Sequence, residues 1–97
     1  MTTDGLTRIT ELLKDDIIRV EYDIDGVTQQ ETNLDITQNV NDLRVSFLIG
    51  ASVVGVIDNF KLIGTTVTLD IRNKTYNKDN DDRQRIVLPY RIELKAV

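Results

Sequence analysis

Cysteine and histidine are both missing from this 97-residue chain. Without cysteine there is no disulfide framework, no thiolate metal site and no thiol nucleophile. Without histidine the chain lacks the usual general base near neutral pH. Serine is scarce as well: Ser46 and Ser52 are the only two, and Ser46 falls inside an alternating segment with no base at hand. Aromatic residues make up 5%, too few for a clustered sugar-binding platform. Paired-carboxylate chemistry needs two acids facing across a cleft, and nothing in the pattern says which acids converge. The chain is expected to be no enzyme and to carry no cofactor.

Positive charge is in short supply too. Twelve Lys and Arg stand against sixteen Asp and Glu, for a net charge of −4. Phosphate contacts need clustered Lys and Arg. Here Arg83 and Arg85 beside Lys78 form the nearest thing to a patch, diluted by Asp70, Asp79, Asp81 and Asp82. Nucleic acid and anionic membrane surfaces are therefore not the expected partners. Apolar runs stay at four residues or fewer, far from the roughly 20 a membrane-spanning helix needs. Met1-Thr2-Thr3-Asp4-Gly5 has neither a basic nor an apolar signal region. Synthesis in the cytoplasm without a signal peptide is expected. The Asn73-Lys74-Thr75 glycosylation triplet then has no consequence.

What remains is ordinary globular composition, 40% hydrophobic and 29% charged, at a length of one domain, residues 1–97. The N-terminus reads as an amphipathic helix of roughly ten residues, short enough that it must dock on something. Thr3 or Asp4 caps it, and Leu6, Ile9, Leu12 and Leu13 share one face. Thr7, Arg8, Glu11 and Lys14 take the other face, and Asp15-Asp16 end it. The period then changes to two. Ile18, Val20, Tyr22 and Ile24 alternate with charged residues, and Asp25-Gly26 signals a tight hairpin. Val27 begins a short returning strand. Asn33 to Asp42 reads as a long, polar connection holding at most a brief strand.

The middle is the most apolar part. Leu43, Val45, Phe47 and Ile49 alternate up to Gly50, and Val53 to Ile63 follows with apolar groups on both faces. Such a strand needs cover on both sides, from the N-terminal helix or from a second subunit. Thr65 to Arg72 reads as a strand with Val67, Leu69 and Ile71 inward. Asn73 to Asp82 is a polar loop. The last strand points Ile86, Leu88, Tyr90, Ile92 and Leu94 one way and Arg85, Val87, Pro89, Arg91, Glu93 and Lys95 the other. Pro89 cannot donate to a ladder, so this strand belongs at an edge or carries a bulge there. The fold class is mainly β (α+β): an antiparallel sheet or sandwich of five to six strands with one N-terminal helix.

Two acidic stretches offer oxygen ligands of the kind hard cations favour, Asp23-x-Asp25-Gly26 and Asp79-Asn80-Asp81-Asp82. Neither has EF-hand spacing or a closing bidentate Glu. They read as a hairpin turn and a solvated loop, so no metal is expected.

The opening helix to Leu13, then Val54 to Gly64, then Lys78 to Asp82 make up an order of segments that resembles small phage tail-fibre and tail-collar modules. Thr3-Asp4-Gly5-Leu6-Thr7-Arg8-Ile9-Thr10-Glu11-Leu12-Leu13 is similar to their opening Gly-Leu-x-x-Ile-x-x-Leu-Leu helix. Val54 to Gly64 resembles their Gly-x-Ile-x-Glu-x-Gly-Leu-Phe strand, and Lys78 to Asp82 resembles the lead-in to their closing strand. Asn59 and Lys61 depart from the usual Glu and Gly, and the Gly- and Ala-rich section after the helix is shortened. The resemblance implies a structural or assembly protein of a phage or prophage tail, with a virion as destination. Its partners would be other copies of itself or neighbouring tail proteins, and no catalytic residues carry over. The alternative is a small monomeric adaptor or inhibitor that recognises a partner by a sheet edge. Either way, exposure nominates the Asn73–Asp82 loop and the Arg85/Pro89/Arg91 face as the contact surface, with Asn73, Tyr76, Lys78, Arg85 and Arg91 as its residues.

Overall fold

The computed structural model describes residues 2–79 and 82–93. Among these, one helix, α1 (Thr3–Asp16), is followed by eight strands. They are β1 (Ile17–Ile24), β2 (Val27–Glu31), β3 (Asp35–Asn39), β4 (Asp42–Ile49), β5 (Gly55–Gly64), β6 (Thr68–Arg72), β7 (Tyr76–Lys78) and β8 (Gln84–Arg91). All pairings are antiparallel. One sheet runs β2-β1-β5-β6, with β7 continuing the β6 side of β5, and the other runs β3-β4-β8. The class is mainly β with one N-terminal helix. Eight strands exceed the expected five or six because two polar stretches also pair.

The first of these is β3, inside the segment read as a connection. It forms a hairpin with β4 through Val40-Asn41. Only Ile36 of its five residues is apolar, so period-two patterning had little to show. The second is β7, inside the segment read as a polar loop, which pairs with the first residues of β5.

Inward side chains of the two sheets make one core. Val20 and Tyr22 of β1, and Ile57, Phe60 and Leu62 of β5, meet Leu43, Val45, Phe47 and Ile49 of β4 and Ile86 and Leu88 of β8. The aromatic centre is tight: Tyr22 stacks on Phe47 at 5.3 Å, and Phe60 lies 6.1 Å from Tyr22. Tyr76 meets Phe60 edge-on at 5.8 Å.

Bulges reset the alternation in the larger sheet, since one extra residue turns every later side chain over. At the start of β1, Ile17 pairs with Gly64 and Arg19 with Ile63, leaving Ile18 as the extra residue. Ile17 is therefore buried and Ile18 exposed, whereas the alternation expected Ile18 on the same face as Val20 and Tyr22. On β6, Leu62 pairs with Asp70 and Ile63 with Thr68, leaving Leu69 extra. Leu69 still packs on the core, but Val67 and Ile71 are both exposed rather than inward. A third slip, between Glu21 and Asp23, is accommodated by Asn59 at φ 56°. Asparagine tolerates that conformation, and its amide donates to the Asp23 carboxylate at 3.1 Å.

The Asp25-Gly26 turn forms as expected, with φ of 49° and 83°. Pro89 lies on an edge strand as expected, since among the described residues β8 pairs only with β4. Helix α1 differs in two details. Its cap is Thr2, whose hydroxyl accepts from the Gly5 N–H at 3.0 Å. Its buried residue is Thr10, while Leu12 is 53% exposed. The helix packs against β1, β3 and β4, with Leu13 against the core. It does not cover the outer face of either sheet's centre: Leu48 on β4 and Val56 on β5 stay exposed. Leu94 and Lys95, assigned to the last strand from sequence, lie outside the described residues.

Candidate functional site

The outer face of the β3-β4-β8 sheet carries the Arg85/Pro89/Arg91 part of the nominated surface. Antiparallel register sets its rows. Asn39, Asp42 and Arg91 form one row, then Thr37, Arg44 and Pro89, then Asp35, Ser46 and Val87, with Leu48 beside Arg85 at the far end. A shallow depression opens between Thr37, Asn39, Arg44, Pro89 and Arg91.

Charge on this face is partly paired. Arg91 Nε donates to Asp42 at 3.0 Å. That hydrogen bond raises the Arg91 pKa, Asp42's charge adds to it, and Glu93 just past the strand adds a smaller pull. Arg85 donates to the Ser46 hydroxyl at 3.0 Å and sits 4.0 Å from the Asp35 carboxylate. Arg44, on the central strand, has no ion-pair or hydrogen-bond partner among the described residues. Leu48 and Pro89 are exposed and Val87 is half-buried. The face is thus a three-strand platform with an apolar strip among arginines.

The nominated residues divide between two places. Arg85 and Arg91 stand at opposite ends of β8 on this platform, with Pro89 between them. Asn73, Tyr76 and Lys78 belong to the other sheet. Asn73 is exposed just after β6. Tyr76 is half-buried, its ring against Phe60. Lys78, chosen for exposure, is only 4% exposed. Its ammonium donates to the Val53 carbonyl, so this lysine ties the loop before β5 to β7. The strand β7 is three polar-flanked residues long, too short to show an alternation, which is why the burial of Lys78 left no trace in the pattern.

Arg44, Leu48 and Val87 join the platform without having been nominated. Alternation in β4 already turned Arg44 and Leu48 outward. What sequence could not supply was the register that lays Arg44 beside Pro89.

The other chemical candidates are occupied by structural roles. Asp23 accepts from Thr28 at 2.9 Å and from Asn59. Asp25 accepts from the Val56 N–H at 2.9 Å, closing the hairpin against β5. Among the described residues no group of three or more acidic side chains is placed to hold a metal ion. Asn80 and Asp81 of the second acidic stretch lie outside the described residues. The Ser46 hydroxyl is buried between Arg85 and the Asp35 carbonyl. The two tyrosines with raised pKa values, Tyr22 and Tyr90, owe the shift first to burial. No helix among the described residues is long and apolar enough to cross a membrane.

Compared with protein-family models, with curated proteins and with solved structures, the chain matches none.

Proposed function

We propose that this chain is a non-enzymatic structural or assembly protein of a phage or prophage tail, and that it docks a neighbouring protein on the outer face of the β3-β4-β8 sheet. One observation carries the docking role. The platform keeps Leu48, Pro89 and part of Val87 open to solvent among Arg44, Arg85 and Arg91. An apolar centre with arginine beside it is a combination that interfaces favour over the rest of a protein surface. Arg44, unpaired among the described residues, supplies a guanidinium that a partner carboxylate can engage through two parallel hydrogen bonds. The tail assignment rests on the resemblance of the Gly5–Leu13 helix and the Val54–Gly64 strand to tail-fibre and tail-collar modules.

Tail particles purified from the source phage or induced prophage test this directly. The chain should be found at fixed stoichiometry in the tail, and Arg44→Glu should lower its incorporation. Particles that hold none of it would overturn the tail assignment. Full incorporation of Arg44→Glu would overturn the platform.

A specific observation favours a second reading, the monomeric adaptor. The core closes within one copy, with Phe47, Phe60, Ile57, Ile86 and Leu88 essentially inaccessible. No second subunit is needed to complete it. Solution mass across a tenfold concentration range separates the two. A stable oligomer favours the assembly protein, and a monomer throughout favours the adaptor.

A further inference from the structure

Helix α1 is joined to the sheets by less than its length allows. Of its fourteen residues only Thr10 is fully buried, and the Thr10 hydroxyl is spent inside the helix on the Leu6 carbonyl at 2.9 Å. Leu6, Ile9 and Leu13 are half-buried, and Leu12 faces out. The one ion pair of the helix among the described residues, Arg8–Glu11, lies within it. Two side-chain hydrogen bonds among the described residues tie its backbone to the sheets. Thr65 reaches the Asp16 carbonyl at 3.4 Å, and Gln38 Nε2 reaches the Thr7 carbonyl at 3.1 Å.

Gln38 has a second task. The same Nε2 donates to the Val40 carbonyl at 2.8 Å, in the turn joining β3 to β4. Val40 holds φ 56° there, a left-handed conformation that a β-branched residue strongly disfavours. One amide group therefore fastens the helix and holds a strained turn at once. Strain of this kind persists only where its surroundings enforce it.

We propose that α1 is a releasable arm and that Gln38 is its latch. The arm hinges at Asp16–Ile17, where helix passes into β1 without a loop and where the Ile18 bulge breaks regular pairing. Release leaves both sheets hydrogen-bonded, because no strand pairing involves α1. It uncovers the apolar side of the core beside β1, β3 and β4, which α1 packs against, and frees the Leu6/Ile9/Leu13 stripe. Few buried apolar contacts and few tertiary hydrogen bonds are the marks of an element that opens before the rest unfolds.

Amide hydrogen exchange on the full chain tests the latch. Amides of Leu6 to Lys14 should exchange roughly tenfold or more faster than those of Val20, Phe47 and Ile86, through an opening little affected by low denaturant. Gln38→Ala should speed helix exchange several-fold while leaving Phe47 and Ile86 unchanged. Leu13→Ser, which loosens the same docking without touching Gln38, should do likewise. Helix amides as protected as those of β4 would overturn the proposal. So would a Gln38→Ala variant that speeds helix and core exchange by the same factor.

Discussion

The Arg72 guanidinium lies 4.3 Å from the centroid of the Tyr90 ring, joining the edge strand of one sheet to the edge strand of the other. Arg72 also donates to the Pro89 carbonyl at 2.8 Å, so it occupies an acceptor beside the position where proline removes a donor. A stacked cation and an occupied carbonyl both discourage a further strand from pairing at this end of β8. Together these contacts link the end of β6 to the C-terminal end of β8.

Tyr90 sets an alkaline limit on that link. Burial pushes its phenol up to about 12, with Arg72 lowering it and Asp70 raising it. A tyrosine in the unfolded chain loses its proton near 10.0. Above that pH the unfolded state binds fewer protons than the folded one, so stability falls as pH rises. The contribution is complete below pH 10 and lost between about 10 and 12. Urea unfolding at pH 8 and pH 11.5 should show that loss in the wild type and a smaller one in Tyr90→Phe. Identical losses would mean that the phenol does not titrate late.

Val40→Gly should stabilise the protein. Glycine holds a positive φ without the Cβ clash that valine suffers, a difference of about 1–2 kcal/mol. Part of that gain is offset by the greater freedom of glycine in the unfolded chain, about 0.5–1 kcal/mol. A net gain of about 0.5–1 kcal/mol in chemical denaturation is expected. A loss would show that the Val40 side chain, 39% exposed, packs more favourably than its backbone is strained.

The aromatic centre should fail cooperatively. Phe47→Ala and Phe60→Ala should each cost about 3–5 kcal/mol, as cavity-forming changes do. The rings lie 6.5 Å apart and both contact Tyr22. The double variant should therefore differ from the sum of the singles by more than about 0.5 kcal/mol. Strict additivity would mean that each ring packs on its own.

Much of this fold was legible because two paired strands of the smaller sheet obey one period throughout. β4 and β8 alternate from end to end, so Leu43, Val45, Phe47, Ile49, Ile86 and Leu88 were readable as core. β1 and β6 were readable as strands, with Val20, Tyr22 and Leu69 in phase but Ile18, Val67 and Ile71 out of it, because Ile18 and Leu69 are bulge residues and a bulge leaves no mark on hydrophobic pattern. β3 was nearly hidden because its stability comes from pairing with β4 and from α1 rather than from its own apolar residues. The candidate platform was half visible. Outward residues on β8 could be named, whereas their neighbours on β4 depend on register, a property of two strands and not of either one.

Lys78 tests the difference between a surface lysine and a structural one. Its side chain is buried and its ammonium reaches the Val53 carbonyl, which belongs to the segment between β4 and β5. Lys78→Met keeps the length and apolar stem of the side chain but removes the charged donor, leaving that carbonyl without this partner. Hydrogen bonds from charged groups contribute more than neutral ones, so the substitution should cost about 2 kcal/mol. The loss should appear as faster exchange at Val56 and Ile57, the β5 residues paired with β7, before it appears in β4 or β8. If Lys78→Met instead left stability unchanged, the buried ammonium would be replaceable by an apolar group of equal size, as some buried charges are. Val53 would then need another donor, and the tie between the β4–β5 loop and β7 would be one of shape rather than charge.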